Sequence, residues 1–139
     1  MIKQLSVFVE NRSGSLMKVT NVLSEEKINI RAVASFDTPD FAILRTVVDK
    51  PEEAKDYLTR NGFVVRVQEV IGVELVDEKG SLNKMLSVLN ENEININYIY
   101  SFVIRNGLAP VMVFSVDKYD KAEEVLKKTG LKVLEENEL

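Results

Sequence analysis

Two short stretches carry residue types that could hold a small anion. They are Asn11-Arg12-Ser13-Gly14-Ser15-Leu16 and Asp77-Glu78-Lys79-Gly80-Ser81-Leu82. In each, a glycine stands just before apolar residues at helical spacing. A helix N-terminus presents unpaired N–H groups and roughly half a positive charge, so it can hold a carboxylate. A glycine there lets a ligand approach the backbone closely. Asparagine offers both donors and an acceptor, so Asn11, and Asn29 and Asn95 in two Ile-Asn-Ile segments, could address both ends of a zwitterion, with Asp77 pairing with an ammonium group. A plainer reading stands beside this one. Gly14 and Gly80 would serve only the turn from strand to helix, and Asn29 and Asn95 would satisfy only the hydrogen bonds at which a strand starts.

These residues are positioned by a duplication. Residues Gly14 to Phe36 align without a gap to Gly80 to Phe102 at an offset of 66, sharing Gly, Ser, Leu, Lys, Val, Leu, Glu, Ile-Asn-Ile and Ser-Phe in order. One fold unit of roughly 70 residues is therefore present twice. We place the units at 1–69 and 70–139. Each would be marginal alone.

Within each copy, Leu5, Val7 and Val9, matched by Ile71, Val73 and Leu75, alternate with polar residues and predict a half-buried first strand. Leu16, Val19, Val22 and Leu23, matched by Leu82, Met85, Leu86 and Leu89, predict a helix, with Ser13 or Asp77 as its N-cap. Ile28, Ile30, Ala34 and Phe36, with Ile94, Ile96, Tyr98, Tyr100 and Phe102, predict a second strand. A hairpin follows at Thr38-Pro39-Asp40 and at Asn106-Gly107. The third strands carry Leu44, Thr46 and Val48, and Met112, Phe114 and Val116. Second helices start near Pro51 and bury Ala54, Tyr57 and Leu58, or Ala122, Val125 and Leu126. Last strands run from Phe63 to Val67 and from Leu131 to Leu134. The expected fold class is α+β: two ferredoxin-like βαββαβ sandwiches in tandem, antiparallel sheets with helices on one face.

The 139 residues contain neither cysteine nor histidine, which excludes disulfides, thiolate metal sites and imidazole-based catalysis. No catalytic residue, metal site or cofactor is expected. The net charge of -4 argues against a nucleic-acid surface. No apolar run approaches a membrane span and the N-terminus lacks signal-peptide character, so a cytoplasmic protein is expected. Lys18 and Lys84 are expected on solvated helix faces, and the acidic tail Glu135-Glu136-Asn137-Glu138 in solvent.

Glu10-Asn11-Arg12-Ser13-Gly14-Ser15-Leu16, then Leu23, then Ile28-Asn29-Ile30, resembles the signature of the ACT domain, Asp/Asn-Arg-Pro-Gly-x-Leu followed by an Asn-Ile strand. The resemblance covers nearly all of both repeats. It implies a regulatory module that binds a small ligand, most often an amino acid, between paired domains, and acts on an attached or associated metabolic enzyme. It also implies ligand positions at Asn11, Ser13, Gly14, Ser15, Leu16 and Asn29, and at Asp77, Lys79, Gly80, Ser81, Leu82 and Asn95. Ser13 and Lys79 stand where that family commonly has proline, and Asp77-Glu78 replaces Asn-Arg, so the two loops are not expected to bind equally.

In a ferredoxin-like sheet ordered 4-1-3-2, the glycine loop and Asn29 lie at opposite ends. Pairing of two units through their second strands, as ACT domains often do, would bring Asn11 to Asn95, or to the Asn29 of another chain. Inside one chain that arrangement separates the joined strands by roughly 29 Å. The link Gln68–Val70 spans only about 10 Å. We therefore expect edge pairing mainly between chains, and at least a homodimer. A ligand-free assembly module on the same fold is the alternative.

Overall fold

The computed structural model describes residues 1–103 and 107–139. Two compact units are present, Lys3–Gln68 and Glu69–Leu139, the latter including Met1–Ile2. The expected second hairpin turn falls partly on Asn106, which lies outside the described residues.

In the first unit the order is β1 (Ile2–Glu10), α1 (Ser15–Glu25), β2 (Ile30–Asp37), β3 (Phe41–Val48), α2 (Pro51–Arg60) and the start of β4 (Val64–Glu74). The strands lie side by side as β2-β3-β1-β4, the expected ferredoxin-like order. Leu5 opposes Thr46 and Val7 opposes Leu44 across the antiparallel β1·β3 pair. Leu5, Val7, Val9 and Leu44 pack with Val19 and Leu23 of α1 and with Ala54 and Leu58 of α2. Each fully buried side chain of this kind contributes about 1.5–3 kcal/mol.

Several expectations are corrected here. Strand β1 is not half-buried, because Gln4 and Ser6 are buried as well. Gln4 Nε2 donates to Ser6 Oγ (3.2 Å), and that hydroxyl donates to Gln68 Oε1 (2.8 Å), so the buried polar atoms are partnered. The β2·β3 register shifts between Ile30 and Ala32. Ile30 therefore packs on the helix-side core, whereas Phe36 takes the opposite face, with the Arg45 guanidinium 4.5 Å above its ring. No loop occurs at Gln68–Val70; one 11-residue strand runs from Val64 to Glu74. The reason is compositional, since that stretch is rich in valine and has no Pro or Gly before Gly72.

The second unit continues with α3 (Ser81–Glu91), β5 (Ile96–Ser101), β6 (Val111–Val116), α4 (Tyr119–Lys128) and β7 (Lys132–Leu134). Its strand order is β5-β6-β4-β7. Ile71, Val73, Met85, Leu89, Phe114, Val116, Ala122 and Leu126 form its core. A register shift between Ile96 and Tyr98 puts Ile99 opposite Phe114 and turns Tyr98 and Tyr100 to the other face, where their rings stack at 6.4 Å. Tyr119 donates its hydroxyl to the Val70 carbonyl at 2.7 Å, and burial raises the pKa of that phenol.

The acidic tail is structured rather than simply solvated. Glu136–Glu138 form a 3-10 turn closed by a capping box. Glu135 pairs with the Met1 ammonium group, which holds its carboxyl below the usual range, and lies 3.7 Å from Lys127.

Gly72 sits between Val113 and Leu134 on neighbouring strands. A Cβ there would stand 2.1 Å from the Cδ1 of Ile2, itself fully buried. Gly72→Ala is expected to destabilise the protein by about 1–3 kcal/mol, as overpacking does. A urea midpoint unchanged from the parent protein would contradict this packing.

Candidate ligand site at the start of the first helix

Strand β1 ends at Glu10 and the chain turns at once. The Arg12 N–H donates to the Glu10 carbonyl (3.0 Å), the Ser15 N–H donates to the Arg12 carbonyl (3.2 Å), and the Lys18 N–H donates to Gly14 (3.1 Å), starting α1. The N-cap is Gly14 at φ 84, with no side-chain cap. This corrects the expectation that Ser13 caps the helix: the turn needs a left-handed residue, and glycine takes that conformation without strain. Asp77 likewise yields the cap to Gly80 at φ 87. Two consequences follow for chemistry. No acidic side chain occupies the first turn of α1, and the N–H groups of Leu16 and Met17 have no partner among the described residues.

Beside this helix start lies a cavity of about 180 Å³ lined by Phe8, Val9, Glu10, Arg12, Ser15, Lys18 and Phe63. A shallower hollow shares Phe8, Val9 and Glu10 with it and adds Phe41. Arg12 Nε lies 3.0 Å from Glu10 Oε2. Lys18 has no ion-pair partner among the described residues. Ser15 is only 8% exposed, and its hydroxyl makes no hydrogen bond among the described residues. One acidic and two basic side chains, the unused hydroxyl of Ser15 and aromatic walls thus converge on the end of a helix.

Of the residues expected at the site, Ser15 lines the cavity, and Gly14 shapes the turn that forms it. Ser13 is exposed, and Leu16, expected on the core stripe of the helix, is 40% exposed. Asn11 is committed elsewhere: its Nδ2 donates to the Thr38 carbonyl at 2.9 Å, tying the loop to the β2–β3 turn. Asn29 sits before the opposite end of β2, where its N–H donates to Asp49 Oδ1 (3.0 Å) and its carbonyl accepts from the Asp49 N–H (3.2 Å). The eight residues of β2 separate the two asparagines, roughly 26 Å. The unit does not bring them together.

The sequence reading missed Phe8, Glu10, Arg12, Lys18 and Phe63. Glu10 and Arg12 lay within the recognised motif, so their opposite charges were a usable signal. Phe63 was not findable, because it reaches the cavity only through the side-by-side placement of β4 and β1.

The whole chain, residues 1–139, matches the family model described as an ACT domain pair. The chain belongs to that family. A crystal structure of protein BT0572 from Bacteroides thetaiotaomicron is similar to this ACT domain pair at 38% identity and TM-score 0.88, over 96% of this chain and 91% of that one. The regulatory subunit of aspartate kinase from Thermus thermophilus, in ligand-free form, is similar in fold at 18% identity and TM-score 0.63, over 90% and 87%. That from Thermus flavus gives 16% and 0.61, over 90% and 88%. No curated protein matches this ACT domain pair in sequence.

The second loop of the ACT domain pair repeats the backbone but not the chemistry. The Glu78 N–H donates to Val76 (2.8 Å), the Ser81 N–H to Glu78 (3.4 Å) and the Lys84 N–H to Gly80 (2.9 Å). The Ser81 hydroxyl is occupied by the carbonyls of Val76 and Glu78. Asp77 and Lys79 are exposed, as is Leu82 at 41%. Asn95 repeats the bonds of Asn29, with its N–H on Asp117 Oδ1 (3.0 Å), and donates its Nδ2 to Asn97 Oδ1 at 3.3 Å.

Proposed function

We propose that this ACT domain pair binds an amino acid, or a similar small carboxylate, beside the start of α1 and acts as a regulator without catalytic activity of its own. One observation carries the reading: the cavity of about 180 Å³ where Ser15, Glu10, Arg12 and Lys18 meet the uncapped end of α1. Its size falls below the ~300–1,000 Å³ of drug-sized sites, which suits a small metabolite. The helix end and Lys18 suit a carboxylate, and Glu10 suits an ammonium group.

Regulation would follow if the ligand favours one assembly over another. We infer that assembly is at least dimeric. Strand β2 forms an edge of its sheet, and its pairing with a second chain would bring an Asn29 to the loop. A metabolic enzyme is the proposed target, by likeness of fold to the aspartate kinase regulatory subunits.

A melting scan against a panel of amino acids tests the reading. A ligand at 100 times its Kd adds about 2.7 kcal/mol, a shift of several degrees for a protein of this size. No shift with any amino acid would leave the ligand-free assembly module, which the exposed Leu16 and Met17 at the same helix start favour.

A further inference from the structure

Resting on that reading, we propose that only the first repeat holds ligand, and that its ligand is a neutral α-amino acid with an apolar side chain. The duplication makes the comparison direct. Glu10, Arg12 and Lys18 of the first loop correspond to Val76, Glu78 and Lys84 of the second, while Phe8 and Phe63 correspond to Glu74 and Leu131. One acid with two bases becomes two acids with one base. A carboxylate approaching the second loop meets Glu78 where the first offers Arg12, and like charges at that range repel.

The two serines separate the sites independently of charge. Ser15 is buried, lines a cavity and keeps its hydroxyl unused. Ser81 donates the same hydroxyl to two backbone carbonyls, at 2.5 and 3.0 Å. The same backbone turn therefore carries a free donor in one copy and a spent one in the other.

Ligand class follows from what remains once the zwitterion is placed. Arg12, Lys18, the Ser15 hydroxyl and the end of α1 take the carboxylate, and Glu10 takes the ammonium group. The rest of the wall is Phe8, Val9 and Phe63, continuing to Phe41. A second charge on the ligand would be set against aromatic rings, and desolvating it is costly.

Calorimetric titration of the intact chain with L-leucine, L-phenylalanine, L-aspartate and L-lysine tests this. The expected result is one site per chain for leucine or phenylalanine, weakened about tenfold in Ser15→Ala and unchanged in Ser81→Ala. Lys18→Gln, on an exposed helix position, provides a second weakened variant should Ser15→Ala perturb the fold. Two sites per chain, or equal losses in Ser15→Ala and Ser81→Ala, overturn the single-site proposal while leaving the ligand-binding reading intact. Tighter binding of aspartate or lysine overturns the ligand class. Silence with every amino acid overturns the underlying function itself.

Discussion

Phe114→Ala is expected to lower stability by about 3–5 kcal/mol, the range for removing a buried aromatic ring. Phe114 is fully buried at the centre of β6. It opposes Ile71 on one neighbouring strand and Ile99 on the other. Its surroundings cannot collapse cheaply, because both flanking residues are fixed in strand ladders and the helices above are held by Met85, Leu89, Ala122 and Leu126. The equivalent position in the first unit is Thr46, which opposes Leu5 and donates its hydroxyl to the Ala32 carbonyl at 2.8 Å. The two cores thus solve the same location differently, one with volume and one with a satisfied hydrogen bond. With native domains stable by only about 5–15 kcal/mol, the alanine variant is expected to be marginal. Urea unfolding followed by circular dichroism gives the number, and a loss below about 1 kcal/mol would mean the ring is not packed as described.

The duplication made most of this fold readable. A gapless match at an offset of 66 allowed each element to be checked against its twin, and Pro51 marked the start of α2 in the first helical turn. What escaped was whatever depends on a single residue's offset. The register shifts at Ile30/Ala32 and Ile96/Tyr98 move the following side chains to the other face of the sheet. They occur at the same place in both copies, so comparing the copies could not expose them. Leu16 and Leu82 fit the helical stripe by spacing, yet both are exposed in the first turn. The site was half-legible for a related reason. Gly14 and Ser15 were visible because they are local to the turn, whereas Phe8 and Phe63 are separated in sequence and meet only through strand order.

Arg12→Glu is expected to weaken ligand binding severely while leaving the fold unchanged. The side chain is 62% exposed and, among the described residues, ion-paired only with Glu10, so its replacement should alter stability by no more than about 0.5 kcal/mol, as at other surface positions. Binding is a different matter. The substitution gives the first cavity the acidic residue that the second loop carries at Glu78, and it deprives Glu10 of its cationic neighbour. An arriving carboxylate would then face two acids and Lys18 alone. Reversing one charge beside an anion is expected to weaken binding about 100-fold at low salt, or ~2.7 kcal/mol. Because Arg12 is partly solvated, the loss should shrink as ionic strength rises and the Debye length falls toward ~3 Å at 1 M. Titrations of the parent protein and Arg12→Glu at two salt concentrations measure both effects. Glu78→Arg supplies the converse: it removes the charge barrier at the second loop, yet Ser81 remains bonded to Val76 and Glu78, so a second site should still fail to appear. If Arg12→Glu bound ligand as the parent does, the charged residues around α1 would have no part in recognition, and the apolar hollow at Phe41 would be the place to look instead.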